Sequence, residues 1–258
     1  MSTSRFASYP SLAGKGVFIT GGAAGIGAEL VLQFASQGAK VAFVDRDAAA
    51  AQATIDRCVA AGASHAPLFF ELDLLDIAAL QQACADSEAA LGGVHVLVNN
   101  AANDDRHDWR DVTVEYWDER INTNLRHYFF AIQALAPGMI AAGAGSIVNI
   151  GSSSYMMKED MFPGYAIAKS AVEGITRTMA RTFGQHGIRV NTVLPGWVPT
   201  ERQLTKWWSP EAEEQTMKDQ ALKYRIMPDQ FAQMVLFLAA DDGAGCTAQH
   251  FLVDGGRF

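Results

Sequence analysis

The stretch Gly16-VFIT-GGAAGIG-AELVLQFASQGA-KVAFV-Asp45 decides the fold. Two apolar runs of strand-favouring residues, Gly16 to Thr20 and Lys40 to Asp45, flank a glycine-rich turn and a helix-like segment from Ile26 to Gly38. A strand, glycine turn, helix and strand within about thirty residues is the context that turns a glycine pattern into a dinucleotide site. Each glycine has a physical duty. Gly21 permits the tight turn, Gly25 lets backbone approach a pyrophosphate, and Gly27 allows close helix packing, while free N–H groups at the helix start face the anion. Asp45 ends the second strand, where a carboxylate binds the two hydroxyls of an adenosine ribose and repels a 2′-phosphate. Neither Ala23 nor Ala24 brings a basic group to the turn, so NAD is favoured over NADP. Arg46 is the one residue nearby able to reach a 2′-phosphate.

Outward from this unit the alternation of strands and helices continues. Leu68 to Leu74 reads as a third strand, ending at Asp73, which either touches the adenine edge or caps the helix beginning near Asp76. Val94 to Ala102 is a fourth strand, followed by the polar loop Asn103-Asp-Asp-Arg-His107. Asp47 to Ala63 and Ile77 to Leu91 are alanine-rich covering helices. Tyr116 to Ala136 reads as one long helix with Asn122 and Asn124 inside it; asparagine competes for backbone hydrogen bonds, so Asn124 predicts a kink or a polar duty. Further strands are Gly145 to Gly151, Ile188 to Leu194 and His250 to Gly256, with helices over Gly164 to Phe183 and Pro228 to Ala240. Between the last two of these helices lies the polar, aromatic-dotted segment Trp197 to Arg225, either a lid over substrate or a subunit contact. The pattern predicts a single-domain α/β Rossmann fold over residues 1–258, with ligands at the carboxyl edge of its sheet.

At that edge stand the residues able to move a proton. Ser152 follows the strand from Gly145, Tyr165 lies thirteen positions on, and Lys169 four beyond that, on the same helical face. A tyrosine used as a base near neutral pH needs a stabilised phenolate, which a neighbouring ammonium can help supply. Alone, the Tyr165–Lys169 spacing is a weak signal; beside the glycine turn it points to proton abstraction from an alcohol.

The totals limit the alternatives. The chain has 258 residues, 49% hydrophobic and 19% charged, enough for one substantial core, and its formal net charge of -8 disfavours nucleic acid as a partner. Met1 to Pro10 lacks the apolar core of a signal peptide, and Met234 to Ala240 is too short to span a bilayer, so no membrane association and a cytoplasmic location are expected. Cys58, Cys84 and Cys246 are far apart and read as buried free thiols, with no metal site.

Taken together, TGGAAGIG at Thr20 to Gly27, Asp73, Asn99-Asn-Ala101, Asn124, Ser152, YAIAK at Tyr165 to Lys169 and PGWVPT at Pro195 to Thr200 resemble the short-chain dehydrogenase/reductase family over nearly the whole chain. The resemblance implies a seven-stranded parallel sheet with helices on both faces, assembled as a homotetramer through helices such as Tyr116 to Ala136 and Gly164 to Phe183. It implies catalytic roles for Ser152, Tyr165 and Lys169, with Asn124 holding a water in a relay to Lys169. Cofactor contacts are implied at Gly21, Ala24, Gly25, Ile26, Gly27, Asp45, Arg46, Asp73, Leu74, Asn99, Ala101, Tyr165, Lys169, Pro195, Gly196, Val198 and Thr200. Val198 and Thr200 would hold the carboxamide, and Asn99 would steady the central strand. One departure is Ala102, where the family usually has glycine.

NDDRH at Asn103 to His107, YWDERIN at Tyr116 to Asn122 and NLRH at Asn124 to His127 resemble the bacterial aldose 1-dehydrogenase branch. The expected reaction is NAD-dependent oxidation of an aldose at C1 to its lactone, with Asn103, Ser152, Ser154, Glu159 and Trp197 nominated for the sugar by their position at the sheet edge. The rivals are a sugar-acid dehydrogenase, a 3-oxoacyl-type carbonyl reductase and an inactive NAD-binding regulatory module.

Overall fold

Strand β1 (Gly16–Thr20) leads through the glycine turn into α1 (Gly25–Ser36), then β2 (Lys40–Asp45), α2 (Ala48–Ala60), β3 (Leu68–Glu71), α3 (Ile77–Leu91) and β4 (Val96–Asn99). The chain continues with α4 (Val114–Ile121), a π turn (Asn122–Arg126), α5 (His127–Ala142), β5 (Gly145–Ile150), α6 (Pro163–Phe183) and β6 (Ile188–Pro195). Two short helices, α7 (Glu201–Lys206) and α8 (Pro210–Asp219), precede α9 (Pro228–Ala239) and β7 (His250–Val253). This computed structural model describes residues 6–258; residues 1–5, part of the polar start read above, lie outside the described residues.

All strand pairs are parallel, in the order β3-β2-β1-β4-β5-β6-β7. The order reverses between β1 and β4, and the loops leaving those two strands part there to open a crevice at the carboxyl edge. Strand alternation sorts the core into two layers. Val17, Ile19, Val41, Phe43, Val96 and Val98 pack on one face with α1, α2 and α9. Phe18, Ala42, Val44, Leu97 and Ile147 pack on the other with α3, α5 and α6. Because both faces are covered, the inner strands read as unbroken apolar runs rather than alternating ones.

One buried polar ladder crosses this apolar sheet. Asn99 Nδ2 donates to Asn149 Oδ1 at 2.9 Å, Asn149 Nδ2 donates to Thr176 Oγ1 at 2.9 Å, and the Thr176 and Thr192 hydroxyls meet at 2.7 Å. Asn99, Asn149 and Thr192 are direct register partners on β4, β5 and β6, and Thr176 is supplied by α6.

The structure departs from the sequence reading in several places, of which these bear on the site or the core. The helix expected over Tyr116 to Ala136 begins at Val114, passes through Pro137 and ends at Gly143 in the left-handed conformation. Its irregularity falls at Asn122–Arg126 as a π turn, where an extra residue per turn widens the helix around Asn124. The third strand stops at Glu71, because Asp73 bends the chain by accepting from Leu75 N at 2.9 Å; Asp76, not Asp73, caps α3 by accepting from Ala79 N. Cys58 and Cys84 are buried free thiols, whereas Cys246 is partly exposed. Among the described residues no helix is long and apolar enough to cross a membrane.

Candidate active site

The carboxyl edge of the sheet opens into a cleft of about 1210 Å³. Its β1 wall is built from backbone. Gly21 and Gly25 adopt left-handed φ values of +70° and +56°, and a Cβ on Gly27 would overlap the Gly21 carbonyl oxygen. Ala24, the N-cap of α1, offers no side-chain acceptor, so the first N–H groups of that helix are left free for an anion in the cleft. Asn100 closes the wall: its side-chain amide donates to the carbonyls of Gly21 at 2.9 Å and Thr20 at 3.1 Å, while Thr20 Oγ1 accepts from the Asn100 and Ala101 N–H groups. Asp45 Oδ2 accepts from Ala23 N at 3.0 Å, which joins the ribose-reading position to the glycine turn. Such a cradle fits a dinucleotide: a strip of free N–H groups for phosphate, a carboxylate at the far end, and no room for a Cβ at Gly27.

All the cofactor positions nominated from the sequence line this cleft except Asn99. Asn99 is fully buried, and its amide faces Asn149 inside the sheet; the residue after it reaches the cleft instead. Ala102, where the family usually has glycine, is exposed and lines the cleft.

The reacting end lies where β5 and α6 meet. Ser152 Oγ donates to Ser154 Oγ at 3.0 Å and accepts from Ser154 N, which fixes the hydroxyl at the strand end. Tyr165 and Lys169 share one face of α6, with the ammonium 5.8 Å from the tyrosine ring centroid. Lys169 is buried, and its Nζ donates to Tyr128 Oη at 2.7 Å and to the Ile150 carbonyl at 2.8 Å. Burial pulls its pKa down to about 7, against the Asp104 carboxylate, which raises it. Tyr165 moves the other way: burial raises its pKa, Asp104 adds to the rise, the hydrogen bond with Ser152 lowers it, and Glu159 raises it again. Burial is thus the largest influence on both groups, and it outweighs whatever help the neighbouring amine gives the tyrosine.

Asn124 is fully buried behind this end. Its Oδ1 accepts from Asn103 N at 2.7 Å and its Nδ2 donates to the Arg120 carbonyl at 2.9 Å, so the π turn serves to fasten the loop after β4. Two residues missed in the sequence act nearby. The ring of His127 sits against the Ala101 carbonyl, and burial, then the Lys169 charge, depress its pKa to about 3. His107 Nε2 accepts from Gly164 N at 3.1 Å, holding the start of α6 one residue before Tyr165, and its Nδ1 lies 3.0 Å from Tyr116 Oη. A histidine in a polar loop carries no such signal by itself.

The side of the cleft opposite the glycine turn is made of long side chains. Asn103, Ser154, Glu159 and Trp197 all line the cleft as nominated. The segment after β6 lies across the loop after β4: Arg202 pairs with Asp104 at 3.2 Å and Asp105 at 2.6 Å and donates to Asn103 Oδ1, Lys206 reaches Asp105, and Gln203 Nε2 donates to Asp104 Oδ2 at 2.6 Å. Trp197 Nε1 donates to the same Gln203, and the Arg106 guanidinium stacks 4.4 Å from the Trp207 ring. Arg257, from the tail, also lines the cleft. Among the described residues no cluster of His, Cys, Asp and Glu is placed to hold a metal ion.

Comparison with known proteins agrees with this geometry. A family model described as enoyl-(acyl carrier protein) reductase matches residues 21–257. D-xylose 1-dehydrogenase of Caulobacter vibrioides is 47% identical over 251 residues, covering 96% of this chain and 97% of its own. The protein named "Probable galactose dehydrogenase GalD" of Rhizobium meliloti is 44% identical over 250 residues, covering 97% of each chain. Among solved structures, a dehydrogenase/reductase from Sinorhizobium meliloti superposes with a TM-score of 0.87 at 32% identity, covering 96% of this chain and 97% of that one. A 7α-hydroxysteroid dehydrogenase complexed with NADH and 7-oxo glycochenodeoxycholic acid gives 0.90 at 29% identity, covering 96% of both chains. The chain belongs to the short-chain dehydrogenase/reductase family. It is an oxidoreductase acting on CH–OH groups with a nicotinamide cofactor.

Proposed function

We propose that this enzyme oxidises a neutral aldose at C1 to its lactone, with NAD as the preferred cofactor. The observation that carries the reading is full-length similarity to relatives named for D-xylose and galactose, combined with Ser152, Tyr165 and Lys169 at the inner end of one cleft. A nicotinamide cofactor, which residues such as Gly21, Gly25, Asp45, Val198 and Thr200 would hold, would supply the acceptor for the C1 hydride. Tyr165 takes the proton of the anomeric hydroxyl, so that the C1–O single bond becomes the lactone carbonyl. Ser152 orients that oxygen from a position fixed by Ser154. Lys169 places its amine near enough to favour the phenolate that takes this proton, and Asn124 fastens the loop after β4 by holding the Asn103 N–H. Asp45 supports NAD, because its carboxylate would meet a 2′-phosphate with like charge and is fixed at the strand end by hydrogen bonds from Ala23 N and Arg46 N.

The segment 197–225 acts as the substrate lid, latched through Arg202, Gln203 and Lys206 to the loop after β4. The exposed apolar side chains of Phe129, Ile140 and Ile167 on α5 and α6 support assembly into a homotetramer through those helices; light scattering that returned a monomer would end that reading. The functional test is an initial-rate screen of NAD and NADP with D-xylose, L-arabinose, D-galactose, L-fucose, D-glucose and several sugar acids. One or more neutral aldoses should give the highest kcat/KM with NAD. Turnover confined to sugar acids would overturn the proposal, as would binding of NAD without turnover of any alcohol.

A further inference from the structure

Arg257, the penultimate residue, is delivered to the cleft by a rigid tail. The Asp254 carboxylate is buried and accepts from Gly256 N at 2.9 Å and Phe258 N at 3.0 Å. Gly255 and Gly256 adopt left-handed φ values of +72° and +75°, and their carbonyls accept from Leu222 N and Ala221 N after α8. The Arg257 side chain starts from this fastened backbone and is 15% exposed. Its guanidinium lies 3.5 Å from Glu159 on the loop after β5 and 3.5 Å from Asp219 at the end of α8. Both contacts are long for charge-assisted hydrogen bonds, and Arg257 Nε is buried with no protein acceptor. A buried N–H without a partner is costly enough to mark a place where an acceptor from outside the protein belongs.

The charges around it say what that acceptor is. One guanidinium stands between two carboxylates, and Arg106 is the other cation whose charge acts on Glu159. Counting Arg257 and Arg106 against Glu159 and Asp219, the site is balanced, with nothing left over for an anion. It offers N–H donors and carboxylate acceptors together, the complement of a hydroxyl, which both donates and accepts. Glu159 and Arg257 line the same cleft as Ser152, Tyr165 and Lys169, so the pair shares one pocket with the reacting end.

We propose that Arg257 and Glu159 form a specificity-determining pair that binds ring hydroxyls of an uncharged sugar and selects against sugar carboxylates. The inference rests on the aldose reading above. It is tested with R257M, R257K and E159Q, assayed on D-galactose, D-xylose and D-galacturonate, with NAD affinity measured separately by fluorescence titration. For R257M the KM for both neutral sugars should rise about 10- to 100-fold, the loss expected for a charge-assisted hydrogen bond, while kcat falls less. NAD affinity should stay within about twofold, since Arg257 sits on the sugar side and not among the backbone donors of the phosphate wall. R257K keeps the charge without the planar fork, so it should fold and bind NAD yet retain a raised sugar KM even where R257M is unstable. E159Q removes one negative charge and should raise the D-galacturonate to D-galactose ratio of kcat/KM by about fivefold or more. An unchanged sugar KM in R257K, an equal loss of NAD affinity, or a galacturonate ratio that stays level or falls in E159Q would each overturn the pair. A wild-type enzyme that turned over neither neutral sugar would instead remove the aldose reading, a result separable from these.

Discussion

On the β1 side of the cleft the chain presents backbone: the left-handed turns at Gly21 and Gly25, the uncapped start of α1, and carbonyls fixed by Asn100. On the β6 side it presents long charged side chains, Arg202, Lys206, Glu159 and Arg257, brought in from α7, the loop after β5 and the tail. Backbone walls are set by the sheet and tolerate no added atoms. Side-chain walls are set by mutual charge pairing, and exposed pairs of that kind contribute little stability each. One fold thus combines a wall fixed by the sheet with a wall of side chains that can change without unfolding it.

The largest effect is expected where the two sides meet. Tyr165→Phe should lower kcat for NAD reduction by about 10²- to 10⁴-fold with NAD affinity preserved, read by stopped-flow and by titration; retention of a tenth of the rate, an order-of-magnitude line set by general acid–base catalysis at about 10², would remove tyrosine from proton transfer. On the backbone side, Gly27→Ala puts a methyl group onto the Gly21 carbonyl and should cost about 1–3 kcal/mol of stability, together with NAD affinity. If calorimetry found NAD affinity intact in that variant, the rigid-wall description would fail. Asp45→Asn should narrow the preference for NAD over NADP about 10-fold or more, the scale of one charge-assisted contact, without touching the sugar KM.

A pH test separates burial from pairing at Lys169. Its pKa falls from 10.5 to about 7 on folding, chiefly through burial. Between those values the unfolded chain holds a proton that the folded chain lacks, so this group makes wild-type stability rise with pH across that window. Lys169→Met lacks the term, so the melting temperature of the variant minus that of wild type should decline from pH 7 toward pH 10.5; a flat difference would show that the ammonium is paired rather than desolvated. The smallest effect is expected on the side-chain wall: Arg202→Ala loses partly exposed pairs with Asp104 and Asp105, so stability should shift by less than about 1 kcal/mol while the sugar KM rises severalfold.

The backbone half was legible in the sequence because it depends on residues that do something no other type can do at that spot: glycine at positive φ, glycine where a Cβ has no room, a strand-end carboxylate. Ser152, Tyr165 and Lys169 were legible through spacing on a strand and a helix. Asn99 was read both as a brace for the central strand, which its bond to Asn149 fits, and as a cofactor contact, which it is not, because strand alternation decides which of two adjacent asparagines faces the cleft. Arg257 and His107 were unreadable for a different reason. Each is a common polar residue on a loop or tail, and its duty comes from neighbours 50 to 100 positions away, Gly164 for His107 and Glu159 for Arg257. The opposing displacements of Tyr165 and Lys169 were also hidden, since spacing shows proximity and says nothing about how much water each group loses.

The polar ladder through Asn99, Asn149, Thr176 and Thr192 has a consequence for assembly of the chain during folding. Apolar strands such as these are interchangeable to a first approximation, and sliding one past its neighbour would leave its hydrophobic side chains nearly as well buried. With the ladder in place, a slip of β5 against β4 or β6 strands amides in the apolar interior, so mispaired intermediates are penalised selectively. Thr176 lies two helical turns beyond Lys169 on α6, and the same check therefore extends to the rotation of that helix. The ladder works as a proofreading device: a chain that passes it has already aimed Tyr165 and Lys169 at the cleft.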